Sequence, residues 1–99
     1  MSIKRWAARV DANQRAIVAA LRASGCDVWI IGLPVDLLVG KNGRTGLIEV
    51  KTTTGKRAPR ANDHTNLQAE FLRTWRGGPF ATVTDVQGAL MFAAILGTE

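Results

Sequence analysis

Residues 34–51 have the sequence PVDLLVGKNGRTGLIEVK, with two apolar runs of strand length on either side of Asn42-Gly43. An Asn-Gly pair between two such runs is the strongest short-range indication of a β-hairpin. Each run carries charge where a buried strand normally has none: Asp36 near the start of the first, Glu49 and Lys51 at the end of the second. Folding the hairpin brings those two ends side by side. The stretch therefore predicts that the three charged side chains lie in one neighbourhood.

The chemistry of these charges predicts a metal site. Side chains alternate along a strand, so Glu49 and Lys51 project from one face of the sheet while Ile48 and Val50 project from the other. Two neighbouring, partly buried carboxylates are unfavourable unless a cation lies between them, and such hard oxygen ligands suit Mg²⁺ or Mn²⁺. A lysine beside them can hold or activate a water near a phosphate. The pattern indicates metal-assisted phosphodiester hydrolysis. The alternative is a hairpin with a surface Glu-Lys pair and an Asp near a turn, since so short a pattern also arises by chance.

Length and charge narrow the class of protein. The chain has 99 residues, which predicts a single domain, and a net charge of +5, which favours a polyanionic partner. Cys26 is the sole cysteine, so no internal disulfide is expected. Because there is neither a secretory signal pattern nor an apolar run of roughly 18 residues, we predict an intracellular, cytoplasmic protein without a membrane partner.

The N-terminal part divides into a basic segment, residues 1–10, and the start of a domain over residues 11–99. In the basic segment Trp6 lies among cations, which predicts either an arm that contacts phosphates and stacks on a base, or a solvated segment whose tryptophan packs on protein. Asp11 is a good N-cap for the first helix, and Gln14 completes a capping-box-like pair. The apolar stripe of that helix comprises Ile17, Val18 and Leu21.

The remaining elements follow from β-propensity, capping and turn residues. Residues 26–33 predict the first strand and residues 65–76 a helix that ends before Gly77-Gly78-Pro79. Phe80–Val83 predicts a short fourth strand, parallel to the second strand of the hairpin. The last helix begins near Thr84, and a largely buried face is expected for Val86, Leu90, Ala93 and Ala94. The prediction is an α/β fold of order α-β-β-β-α-β-α, a mixed four-stranded sheet flanked by helices.

Between the hairpin and the second helix, residues 52–64 form a polar, basic stretch with no periodicity, which predicts a long loop. Its cations Lys56, Arg57 and Arg60 either contact the phosphates of DNA or belong to a solvated connection. His64 is interpreted as a loop residue rather than as a general base or a metal ligand.

Together these motifs resemble the PD-(D/E)XK nuclease superfamily, and within it the small stand-alone VRR-NUC-like proteins of phages and bacteria. The resemblance extends from about Val10 to Leu96. The matching motifs are Asp11-Ala12-Asn13-Gln14, Pro34-Val35-Asp36-Leu37-Leu38-Val39-Gly40, Ile48-Glu49-Val50-Lys51 and Thr65-Asn66-Leu67-Gln68. It implies a restriction-endonuclease-like core in the cytoplasm of a bacterium or a phage-infected cell.

The resemblance also implies roles for individual residues. Asp36 and Glu49 would bind Mg²⁺ or Mn²⁺ together with the carbonyl of Val50. Lys51 would act on the attacking water or the scissile phosphate, and Gln68 would help to place these groups.

The sequence departs from the family pattern in two ways, which concern the number of acidic metal ligands and the position of Asp36. Many relatives have an acidic metal ligand in the first helix, where this chain offers only Asn13 or Asp11. The family usually has proline directly before the first acid, whereas here Val35 intervenes, which shifts Asp36 in register or indicates a bulge.

The function that this resemblance implies is a metal-dependent endonuclease acting on DNA, selective for branched, flapped or junction structures, and working as a homodimer. The alternative is a nuclease fold that binds DNA but does not cut it. A second alternative is an interaction subunit with no nucleic-acid role.

Overall fold

The structure, a computed structural model, describes residues 12–52 and 66–98. Its elements are α1 (Ala12–Ala23), β1 (Asp27–Ile30), β2 (Leu37–Lys41), β3 (Arg44–Val50), α2 (Asn66–Thr74), β4 (Phe80–Val83) and α3 (Val86–Leu96). The predicted order of elements is confirmed. None of the helices in the described ranges is long and apolar enough to cross a membrane.

The four strands form one sheet of order β1-β2-β3-β4, antiparallel except for the parallel pair β3 and β4. This is the predicted mixed sheet. At its centre the hairpin closes through a two-residue turn, Asn42 and Gly43, with φ angles of 54° and 81°. Both residues lie in the left-handed region that a type I′ turn requires, and Asn and Gly adopt it at low cost.

One face of the sheet carries the hydrophobic core, because alternate residues in the middle of the strands are apolar and turned toward α1 and α3. The buried residues of this core include Val28, Leu37, Val39, Ile48 and Val83 from the sheet and Ile17, Leu21, Ala89, Ala93 and Leu96 from the helices. The expected buried face of α3 is right for Ala93 but wrong for Ala94, which is exposed. The buried stripe instead follows Ala89, Ala93 and Leu96 at helical spacing.

Helix α2 lies on the opposite face of the sheet. Phe71 packs edge-on against Phe80 with ring centroids 5.8 Å apart, and it stacks on Trp75 at 5.1 Å. Because Phe80 belongs to β4, the helix covers the β3–β4 side of this face. Leu67 of the helix is 57% exposed, so part of the apolar surface of α2 remains open.

Two loops fix the ends of the elements around the site. Asp85 caps α3, its Oδ1 accepting from the amide of Gly88 at 2.8 Å. The carbonyl of Asp36 accepts from the amides of Ile31 at 2.9 Å and Gly32 at 3.2 Å, which holds the entrance of β2 against the end of β1. The entrance of β2 is therefore anchored in the backbone.

Candidate active site

The hairpin register brings Asp36 and Glu49 together. Leu37 pairs with Ile48 at the end of the ladder, so Asp36, directly before β2, lies beside Glu49, which follows Ile48 in β3. The Oδ2 atom of Asp36 accepts a hydrogen bond from the amide of Val50 at 2.7 Å. The carboxylate of Asp36 is thus tied to the strand that carries Glu49.

Glu49 is a buried acid beside Asp36. Its side chain is only 6% exposed. The pKa of Glu49 is raised from 4.5 to about 7, mainly by burial and then by the charge of Asp36 and a hydrogen bond between the two carboxyl groups. The Lys51 ammonium and a backbone hydrogen bond at Asp36 act in the opposite direction and lower this pKa. Without a cation, burial and the neighbouring charge of Asp36 therefore favour the protonated form of Glu49 over the ionised one.

Gln68 connects helix α2 to these acids. Its Nε2 atom lies 3.3 Å from each carboxylate oxygen of Glu49 and donates to the carbonyl of Pro34 at 3.1 Å. Gln68 is buried, on the third position of α2. Because an amide N–H stabilises an ionised carboxylate without adding charge, Gln68 fixes the position of Glu49.

Lys51 and Val50 complete the predicted set at the end of β3. The amide of Lys51 donates to the carbonyl of Val83 at 2.9 Å, which anchors the strand end on β4. The ammonium of Lys51 is close enough to lower the pKa of Glu49. A strand residue directs its N–H and C=O toward the same neighbour, so the carbonyl of Val50 faces the side on which Asp36 lies.

Val35, the residue between Pro34 and Asp36, is fully buried. The strand pairing ends at Leu37 with Ile48, and Asp36 lies directly before β2. The Oδ2 atom of Asp36 nevertheless accepts from the amide of Val50, so its carboxylate lies beside the end of β3. The predicted register shift or bulge at Val35 stays a prediction.

Asn13 and Asp11 are the two candidates for an additional metal ligand in the first helix. The side-chain amide of Asn13 donates to the carbonyl of Thr84 at 3.0 Å, directly after β4. Because Val83 pairs with Val50, this contact brings the start of α1 to the end of the sheet where Lys51 lies. The observed role of Asn13 is to tie α1 to that end. Asp11 lies outside the described residues, as do the predicted phosphate contacts Lys56, Arg57 and Arg60 and the basic segment 1–10.

One buried polar residue near the start of α1 was not predicted as such. Gln14 is 8% exposed and lies on the same helical face as Ile17, Val18 and Leu21. The sequence predicts a capping pair for Gln14, and its spacing of three, four and seven residues from the apolar positions also indicates burial.

The donor set of the site fits a hard divalent cation. It consists of two carboxylates and a strand-end carbonyl, and Mg²⁺ or Mn²⁺ bound in this way keeps several waters. Among residues 12–52 and 66–98, no three His, Cys, Asp or Glu side chains gather, so the set does not match a structural zinc site. The nearness of Asp36 to a buried Glu49 favours a cation here, because positive charge between the acids removes the repulsion that raises the pKa of Glu49.

Comparison with known proteins does not place the chain in a family. No family model, no curated protein and no solved structure matches the chain.

Proposed function

We propose that this protein is a Mg²⁺- or Mn²⁺-dependent endonuclease that hydrolyses DNA phosphodiester bonds, with a core of the PD-(D/E)XK type. The observation that carries the proposal is the nearness of Asp36 to the buried Glu49, with the Lys51 ammonium close enough to lower the pKa of Glu49 and the Gln68 amide 3.3 Å from its carboxylate oxygens. Fold and residue order support it, since these groups come from the strand ends and the helix that the resemblance assigns.

Each side chain has a role that follows from its position. Asp36 and Glu49 would hold the cation, with the carbonyl of Val50 as a third oxygen. A cation held there supplies positive charge for a phosphate oxygen and lowers the pKa of a nearby water. Lys51 would orient the attacking water or offset negative charge that develops on the phosphate. Gln68 would keep Glu49 in its position while the other groups change charge.

The proposed substrate and assembly rest on more general properties. The net charge of +5 supports a polyanion, and two of the eight acids belong to the site, which leaves the remaining surface more basic. Selectivity for branched or flapped DNA and a two-fold dimer with two active sites remain part of the proposal.

The experiment is a cleavage panel. Purified protein is incubated with linear, flapped and branched DNA in Mg²⁺, in Mn²⁺ and in EDTA. We expect metal-dependent nicking that is lost in Asp36→Asn, a change that removes the charge but keeps an oxygen able to accept from the amide of Val50. The matched control is Asp27→Asn, an exposed acid of the same sheet, which should nick normally.

Two results would contradict the proposal. Equal nicking by the wild type and by Asp36→Asn would assign the activity to a contaminant. Salt-sensitive DNA binding without nicking in either metal would leave a DNA-binding domain that does not cut.

A further inference from the structure

A row of apolar side chains lies beside the carboxylates, on the same face of the sheet. Side chains two residues apart in a strand share a face, so Leu47 lies on the face of Glu49, and Leu38 shares that face because it pairs with Leu47. The strand registers join this row across all four strands, in the order Trp29, Leu38, Leu47 and Phe80. The carboxylates form the next row.

Helix α2 covers only one end of the apolar row. Phe80 packs against Phe71 of that helix, whereas Trp29 is 71% exposed at the other end. Between them Leu38 is exposed and Leu47 is half-buried. The exposed indole of Trp29 lies directly opposite the exposed Leu38. Together they form a flat apolar surface that no other described residue covers.

The spacing of the two rows suits a nucleotide chain. Adjacent rows on one face are two residues apart along each strand, roughly 6.6–6.8 Å. This is about the length of one nucleotide in an extended strand. A phosphate at the carboxylates would therefore place the neighbouring base above Leu38 and Trp29.

We propose that Trp29, Leu38 and Leu47 form a stacking platform for unpaired bases next to the phosphate that is cut, so that the substrate is DNA with a single-stranded segment at the cleavage site. The inference rests on the proposed function and specifies its substrate. The faces of paired bases are covered by their neighbours in the duplex, whereas an unpaired base offers a free face to an indole.

Charge and area favour this occupant over a protein. The platform is continuous with the end of the sheet that carries Lys51 beside the two acids, and with a cation bound between these acids that end, in a chain of net charge +5, suits a polyanion. A stable protein interface buries about 800 Å² on each partner, whereas one tryptophan contributes about 150–250 Å² and Leu47 is already half-covered. The platform alone is too small for such an interface but is the right size for one or two bases.

The test measures binding in EDTA, so that cutting does not interfere. The probes are a fluorescein-labelled oligothymidylate, an abasic strand with the same number of phosphates, and a blunt duplex. For Trp29→Ala we expect a loss of affinity of about 5- to 100-fold on oligothymidylate, and less than about twofold on the other two probes. The matched control is Ile95→Ala, which removes an equally exposed apolar side chain (70%) from the core-side helix α3 and should bind all three probes normally.

A second measurement does not depend on how Trp29→Ala folds. In the double variant Trp6→Phe/Trp75→Phe, Trp29 is the only tryptophan. Its fluorescence should be quenched by oligothymidylate and not by the abasic strand.

Several results would overturn the platform. They are an equal loss of affinity on the abasic strand, no loss on oligothymidylate, or an unquenched indole. A wild-type dimer that becomes a monomer in Trp29→Ala, as measured by light scattering without DNA, would assign this face to a second copy of the chain.

The platform and the proposed function fail in different ways. Metal-dependent nicking that is indifferent to strandedness and to Trp29→Ala would retain the nuclease and refute the platform. Base-dependent binding through Trp29 without nicking on any DNA would retain the platform as a binding surface and refute the nuclease.

Discussion

Glu49 should destabilise the metal-free protein at high pH, and the replacement Glu49→Gln should remove this effect. Its pKa is raised from 4.5 to about 7 in the folded state, so the folded protein holds this proton more tightly than the unfolded chain does. The free energy of unfolding therefore falls as the pH rises from about 4.5 through about 7. At 1.36 kcal/mol per pKa unit, this difference corresponds to about 3 kcal/mol, an upper figure because Glu49 and Asp36 titrate together.

The assay is urea unfolding in EDTA at pH 5 and pH 8. Wild type should lose up to about 3 kcal/mol between these values relative to Glu49→Gln, whose neutral amide has a similar shape and no proton to lose. Added Mg²⁺ should restore stability to the wild type at pH 8 and have little effect on the variant, since a bound ligand stabilises the folded state. The control is Glu70→Gln, because Glu70 is an exposed acid on α2 that pairs only at the surface with Arg73.

The reasoning would be refuted if the difference in stability between wild type and Glu49→Gln were the same at pH 5 and pH 8. Such a result would mean that the carboxyl group of Glu49 is solvated in the folded protein and that the pair does not repel.

Three further predictions concern the supports of the site. Gln68→Ala should leave the affinity for single-stranded DNA within about twofold but reduce the nicking rate, because the Nε2 contacts to Glu49 and Pro34 are lost. Single-turnover kinetics measures this rate, and an unchanged rate would contradict the role of Gln68 in positioning Glu49. Leu37→Ala should cost about 2–5 kcal/mol in urea unfolding, since Leu37 is fully buried beside the site, and a cost below about 1 kcal/mol would contradict that burial. Gly43→Ala should cost about 1–2 kcal/mol, because its φ of 81° disfavours a β-carbon although the space around it is open, and it should not alter nicking by the folded protein.

The parts of the fold that were predictable are those that local chemistry determines. The Asn42-Gly43 turn sets the hairpin register, and once that register is known the convergence of Asp36 and Glu49 follows from the ladder. The strand Phe80–Val83 was also identifiable, as was the start of the last helix near Thr84, where the structure has its cap at the next residue, Asp85.

The parts that were not predictable depend on which face each helix covers. The exposure of Trp29 and the partial cover provided by α2 are set by packing between distant elements, and the alternation of residues along a strand does not say which faces a helix will leave open. Gln68 could be assigned to a cap from its spacing alone, yet its amide also reaches Glu49, 19 residues away, a contact that only the sheet–helix geometry creates.

The most direct test of the central claim is a titration of the protein with Mn²⁺ by calorimetry. We predict that wild type and Asp27→Asn bind one ion per chain at this site, whereas Asp36→Asn and Glu49→Gln each lose that binding while remaining folded. Unchanged Mn²⁺ binding in both site variants would contradict the claim that these two carboxylates together hold the cation.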